Sequence, residues 1–291
     1  MEKLSFGSRL VNAVIYLVLF LFALVTLLPF YSILVGSLAS ARENALNPFI
    51  LWPKEPTLDA YRYILSTATM PRALLVTVYV TVIGTAVNIV MTTLMAWPLA
   101  HKRIMGRKII MFLITFTMLF SGGMIPNYFI VKSTGLLNSF GALIIPGAIS
   151  AFNLILMKNF FQEIPASLEE SAKLDGYNDM SILIKIVIPL SLPAIATFTL
   201  FYAVGHWNSF MNVILYIADP KKWNIQVLLR QIVILSQGGI GDAASVGEHF
   251  VIPPQGVKMA AIMFSSLPII CVYPFLQKYF VKGVMAGSIK G

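Results

Sequence analysis

The stretch from Val11 to Val35 carries no charged side chain and is long enough to cross a lipid bilayer, for which about 20 apolar residues suffice. Five more stretches share its character, at residues 73–100, 109–128, 140–161, 181–205 and 257–280, and none of them holds an Asp or Glu. Lipid offers a peptide group no water to bond with, so an apolar run of this length must satisfy its own backbone, and a helix does so. The expected fold is all-α: an integral membrane protein of six transmembrane helices, with one domain over residues 1–291 and neither an internal repeat nor a second soluble domain. Composition points the same way. Mean hydropathy is +0.82, and only 11% of residues are charged, where a soluble domain has about 25%.

The formal net charge of +9 would suggest nucleic acid in a soluble chain. Here the cations stand beside apolar stretches, where they act as topology signals and lipid-headgroup contacts, so no nucleic-acid partner is expected. His101-Lys102-Arg103 with Arg107-Lys108 marks the loop after the second span as cytoplasmic, and with it both termini. Residues 11–35 are too long for a signal-peptide core and lack a small-residue cleavage site, so the first span is expected to stay uncleaved. The lone Cys271 lies in an apolar stretch and builds no disulfide framework. Ser121-Gly122-Gly123 before Pro126 suggests that the third span has an unwound outer end, which a bilayer tolerates only where protein or water shields it.

The most informative polar segment is the loop at residues 162–180, set between the fourth and fifth spans. Ser167 and Glu170 have capping-box spacing, so a short helix should start at Ser167. Asp175-Gly176 supplies a left-handed stop, and Asn178 and Asp179 are good caps for a second helix that runs on through Pro189 and Pro193. The expected result is a short surface helix tied through a tight corner to a spanning helix.

Glu170-Ser171-Ala172, Asp175-Gly176, Ile188-Pro189 and Pro193, with the interval between Gly176 and Pro189, resemble the EAA motif of permease subunits of bacterial ABC importers. Ser171, Tyr177, Leu183 and Ile188 depart from the commonest residues, and Tyr177 is the departure that bears on the fit to the ATPase. The likeness extends to Ser121-Gly-Gly-Met-Ile-Pro126, to Phe201-Tyr-Ala-Val-Gly-His-Trp-Asn208, and to the ending from Tyr273 to Gly291. The chain is similar to the maltose-type, binding-protein-dependent permeases, nearest the branch serving oligosaccharides and polysaccharide fragments such as those of alginate and pectin. That resemblance implies the type I ABC importer permease fold with a cytoplasmic coupling helix, located in the bacterial cytoplasmic membrane. It also implies a second permease as heterodimer partner, an ATPase dimer, an extracellular solute-binding protein and an oligosaccharide substrate, acidic or neutral.

By the same resemblance Glu169, Glu170, Ser171, Ala172, Asp175, Gly176 and Tyr177 would form the ATPase-docking segment, with Glu170 facing a basic group of the ATPase. Gly238, Gly239, Gly241 and Asp242 would lie in the loop that probes the binding protein, and residues 286–291 would reach the ATPase. Asn88, Asn153, Tyr202, His206, Trp207 and Asn208 are candidates for the substrate path, because polar side chains in spans face the bundle interior. Helix-to-helix hydrogen bonding is the competing role for the amides, and an interfacial aromatic belt for Trp207 and Tyr202.

Absent chemistry narrows the class. A proton- or sodium-coupled carrier keeps an acid near the midplane despite its cost, and these spans hold none. No GxxxxGK[ST] loop is present, and Gly238 to Gly241 lacks the lysine. His101, His206 and His249 lack metal-ligand spacing, and no nucleophile and base are paired. No enzyme, metal or cofactor of its own is expected, with ATP and magnesium on the partner ATPase. Two alternatives remain open: a channel-like or structural membrane subunit, separated by whether an ATPase copurifies, and an ABC permease for a non-sugar solute, separated by which solute stimulates ATP hydrolysis.

Overall fold

The computed structural model describes residues 6–47, 49–236 and 255–288, and every regular element in them is helical. In chain order these are α1 (Phe6–Leu38), α2 (Ala41–Leu46), α3 (Asp59–Ser66), α4 (Thr69–Ala100), α5 (Arg107–Leu119), α6 (Met124–Ser133), α7 (Gly141–Ile144) and α8 (Ala151–Gln162). Then follow α9 (Ala166–Leu174), α10 (Asp179–Ile182), a π-helical turn (Leu183–Val187), α11 (Ile188–Leu190), α12 (Leu192–Trp207), α13 (Met211–Tyr216), a short 3₁₀ turn (Pro220–Lys222), α14 (Ile225–Ser236) and α15 (Gln255–Ser288).

Three of the expected spans are continuous helices: α1, α4 and the described part of α15 all have the length and apolar composition to cross a bilayer. The other three are interrupted, the third at the Ser121–Gly123 segment expected to unwind, the fourth and fifth at positions where a continuous helix was expected. The stretch at 109–128 is α5 plus the start of α6, separated at Phe120–Gly123, where Gly123 takes φ +84°. The stretch at 140–161 is the four-residue α7 and the twelve-residue α8. Pro146 and Gly147 stand in the gap, the first unable to donate a helical bond and the second offering a helix little stability. The stretch at 181–205 bends by 84° at Ser191, between residues 179–190 and α12. Pro189 and Pro193 flank that bend, each removing a backbone donor, and the preceding turn relaxes to π-helical pairing.

The chain divides into two compact units, Met1–Met70 with Leu229–Leu267, and Pro71–Leu228 with Pro268–Gly291. In the first, the apolar side chains of α1 from Leu10 to Leu34 are largely exposed, as befits a helix made for lipid. Its C-terminal end is the anchored part. Asn44 donates to the carbonyls of Gly36 and Ala39 at 2.9 and 3.3 Å, and the Ser37 and Tyr61 hydroxyls meet at 2.7 Å. Gly36 leaves room for Met259 of α15, whose sulfur occupies the place of a Cβ.

In the second unit α4 is the spine. Its C-terminal end, through Ala96, Trp97, Leu99 and Ala100, belongs to a core that also holds Phe161 of α8, Ala172 of α9, Ile182 of α10 and Phe198 of α12. Its N-terminal half, through Val76 and Val80, enters another core with Val131, Leu143, Val213 and Val227. At the N-terminal end Thr77 donates to the carbonyl of Ala73 at 2.7 Å and accepts from the amide of Ile225 at 2.8 Å, fixing the start of α14 to the spine.

Candidate functional site

Two places in the second unit have functional character, the exposed helix α9 and a polar cavity beside the middle of α4. Helix α9 is short because of its ends. Pro165 occupies the N-cap position with φ −59° and ψ 128°, so the helix opens at Ala166. The expected capping box is thereby corrected: Ser167 sits inside the first turn and no side chain caps the amides. The C-terminal stop is Gly176 at φ +84°, with the amides of Tyr177 and Gly176 closing on the carbonyls of Ala172 and Lys173. This pairing lets the chain reverse within two residues, and any side chain at Gly176 must adopt a left-handed conformation. Asn178 then caps α10 by accepting from the amide of Ser181 at 2.8 Å.

The two faces of α9 differ. Inward, Ala172 is 5% exposed and joins the core around Trp97 and Phe161, so its small size serves packing against the chain's own body. Glu169 also turns inward: its carboxylate lies 2.8 Å from Nε2 of His101, whose Nδ1 is 3.0 Å from the carbonyl of Trp97. Outward lie Glu170, Ser171 and Leu174, the last 91% exposed, with Tyr177 beyond them. Tyr177 carries the Lys185 ammonium 5.0 Å over its ring, and Lys173 pairs with Asp179 at 3.0 Å. Arg107 donates to the carbonyl of Leu99 at 2.8 Å and Gln162 to that of Ala100 at 2.9 Å. These bonds satisfy orphan carbonyls at the end of α4 and hold the neighbouring loops to it.

The cavity has a volume of about 650 Å³, within the range of sites that take small organic ligands. Asn88, at its wall, stands twelve residues before the end of α4, about 18 Å along the helix axis and so well inside the depth of a bilayer. Fully buried, it donates to the carbonyl of Gly147 at 2.6 Å and pairs through Oδ1 with Nε2 of His206 at 2.6 Å. It thus uses the carbonyl exposed where α7 breaks from α8. Across the cavity the Tyr202 hydroxyl meets Thr92 at 2.8 Å and accepts from the amide of Ser150 at 3.1 Å. Gly84 of α4 faces the imidazole of His206 so closely that a Cβ there would meet its ring atoms at 2.5 to 2.9 Å.

Four of the six substrate-path candidates therefore converge: Asn88, Asn153, Tyr202 and His206 all line one cavity. Trp207 and Asn208 do not. Trp207 is buried in packing one residue past His206, on another side of α12, and Asn208 is the exposed C-cap of that helix. Asn127, Ser150 and Asn212 line the cavity as well and were not anticipated. Asn127 follows Pro126 directly, beside the segment expected to unwind, and Asn212 lies outside the six apolar stretches. Gly238, Gly239, Gly241, Asp242 and residues 289–291 lie outside the described residues.

Removing the Tyr202 hydroxyl should be felt. Tyr202→Phe strands Thr92 and the Ser150 amide in a buried place, at a cost of about 1 to 3 kcal/mol. Mixed-micelle unfolding of the purified permease measures that loss, and an unchanged midpoint would remove Tyr202 from the framework of the cavity.

Residues 73–286 match the family described as the binding-protein-dependent transport system inner membrane component, and the chain belongs to this family. It is 55% identical over 284 residues to the polygalacturonan/rhamnogalacturonan transport system permease protein YtcP of Bacillus subtilis, covering 98% of this chain and 99% of that one. It is 51% identical over 267 residues to Protein LplC of the same organism, covering 92% and 90%. Among solved structures it superposes with a TM-score of 0.87 and 33% identity on a chain of a bacterial ABC transporter involved in the import of the acidic polysaccharide alginate, covering 96% of this chain and all of that one. The protein is an integral membrane permease with the type I ABC importer fold, and serves oligosaccharide or polysaccharide-fragment import.

Proposed function

We propose that this chain is one of two permease subunits of a heterodimer, a single permease domain whose α9 docks on an ATPase dimer at the cytoplasmic face, with both termini on that side. Sugar arrives from an extracellular binding protein, passes the cavity at Asn88, Asn153, Tyr202 and His206, and leaves to the cytoplasm. ATP and its magnesium belong to the partner ATPase, and this chain supplies the moving path. Acidic sugars are the favoured cargo, in keeping with the names carried by the pectin-type relative and the alginate-importing structure.

The observation that carries this reading is the two-sidedness of α9. Its inner face is fastened to the ends of α4 and α8 through Ala172 and the His101–Glu169 contact, while its outer face leaves Leu174 almost wholly open. A helix that is locked on one side and bare on the other transmits a push applied to the bare side. Since α4 reaches from that core to the cavity wall, movement of α9 reaches the residues around the sugar.

The test is binding-protein- and sugar-dependent ATP hydrolysis by the purified complex of this chain, its partner permease and the ATPase. Gly176→Trp should abolish the stimulated rate by forcing a bulky residue into the left-handed conformation that the corner requires. Leu174→Glu, which alters only an exposed side chain, should lower it about tenfold or more with the permease still folded, the scale expected of a central docking contact. Hydrolysis unaffected by both substitutions, or no ATPase association in the wild type, would overturn the reading.

A further inference from the structure

The cavity is polar but carries no fixed charge: among the described residues lining it are four asparagines, two serines, one threonine, two tyrosines and His206, and neither an acid, a lysine nor an arginine. An acidic sugar unit passing through needs something to replace the water around its carboxylate. The break between α7 and α8 provides it. Pro146, Gly147 and Ser150 run along the cavity wall, and α8 begins immediately after them, so the first turn of a twelve-residue helix opens at the cavity. The first amides of a helix have no carbonyl to bond within it. Here Ser150 caps only one of them, accepting from the amide of Asn153 at 3.4 Å, while its own amide goes to Tyr202. The aligned peptide dipoles make that end of the helix favourable to negative charge.

A second observation is independent of the helix end. Asn153, in the first turn of α8, is 6% exposed and lines the cavity, yet its side-chain amide makes no hydrogen bond among the described residues. With no protein partner and a place in the cavity wall, the amide is open to a ligand or water that enters there. Asn88, by comparison, is fully engaged with Gly147 and His206.

We propose that the N-terminal turn of α8, with the Asn153 amide, is the subsite that receives the carboxylate of a uronate unit, and so gives this permease a preference for acidic over neutral sugars inside the membrane. This rests on reading the cavity as part of the sugar path. The broken helix is then the device itself: a dipole end delivers positive potential to mid-membrane without a permanent cation that would hold the anion too long. The carboxylate accepts from Asn153 and from uncapped amides of the turn, and no proton transfer is required.

The assay uses the complex of both permeases with the ATPase in nanodiscs, without the binding protein, and measures calorimetric affinity for digalacturonate and for its neutral methyl ester. Wild type should favour the free acid. Asn153→Asp should weaken digalacturonate binding about tenfold or more by setting a like charge beside it, and change ester binding less than about threefold. Ser150→Asp is the companion variant: aspartate is a good N-cap, so the helix keeps its start while the anion position becomes occupied. It too should erase the preference for the acid.

Equal wild-type affinity for acid and ester, or a preference that survives Ser150→Asp, overturns the carboxylate subsite and leaves the sugar path standing. Failure of the wild type to bind either sugar overturns the path, and the subsite with it. Loss of both ligands alike in both variants also overturns the subsite, since it marks general damage to the cavity.

Discussion

Asn88→Ala is expected to destabilise the permease by about 2 to 4 kcal/mol and to lower sugar uptake in proteoliposomes by more than about tenfold. The residue is fully buried and holds two partners that it does not share, the carbonyl of Gly147 and the imidazole of His206. Each loses its bond when the amide goes, and a stranded buried polar group costs about 1 to 3 kcal/mol. His206 recovers part of this because the cavity gives it access to water, hence a total below the simple sum. The uptake loss follows because Gly147 belongs to the break that opens α8 toward the cavity, and freeing its carbonyl frees that segment. Unfolding in mixed micelles reads the first effect and radiolabelled uptake the second. A variant as stable and as active as wild type would mean that the α7–α8 break is held by something other than Asn88.

The second large effect is expected from Ala172→Phe. Ala172 is packed against its own chain, in the core shared by Trp97, Phe161 and Ile182. A phenyl ring has no space there, and overpacking costs about 1 to 3 kcal/mol where neighbours can shift. Helix α9 is the element best able to shift, being nine residues long and held at its edge. It should move outward and take the proposed docking surface out of register with the ends of α4 and α8. The expected phenotype is a complex that still assembles with the ATPase but whose hydrolysis no longer responds to sugar. Retained sugar response, with the substitution verified, would separate docking from the core and remove the mechanical link proposed between α9 and α4.

Much of this was legible from residue chemistry, and the exceptions have identifiable causes. Gly176 and Asn178 do what their types imply, because a left-handed stop and an Asx cap are decided within three or four residues. Ser167 and Glu170 fail as a capping box because Pro165, two residues earlier than Ser167, sets the helix start first. The interruptions at residues 145–150 and at Ser191 escaped because both sides of each are apolar: hydropathy reports what lipid will accept, and says nothing of where a helix stops. Pro146-Gly147 and the pair Pro189 and Pro193 were the available signals. Asn88, Asn153, Tyr202 and His206 stand out in the sequence because a polar group in an apolar helix is conspicuous, and all four line the cavity. Trp207 and Asn208 fall away from it because one or two residues past His206 a helix turns a side chain by about 100° or 200°.

Gly84 has a practical meaning for anyone who wants to change what the permease carries. Its hydrogen sits against the imidazole of His206, and Gly84 is not among the residues lining the cavity, so the position of the histidine is governed from outside the cavity wall. Under the proposed sugar path, selectivity can be retuned without rewriting the wall: a side chain added at residue 84 must displace the imidazole of His206, which lines the cavity, while residue 84 itself stays out of the lining.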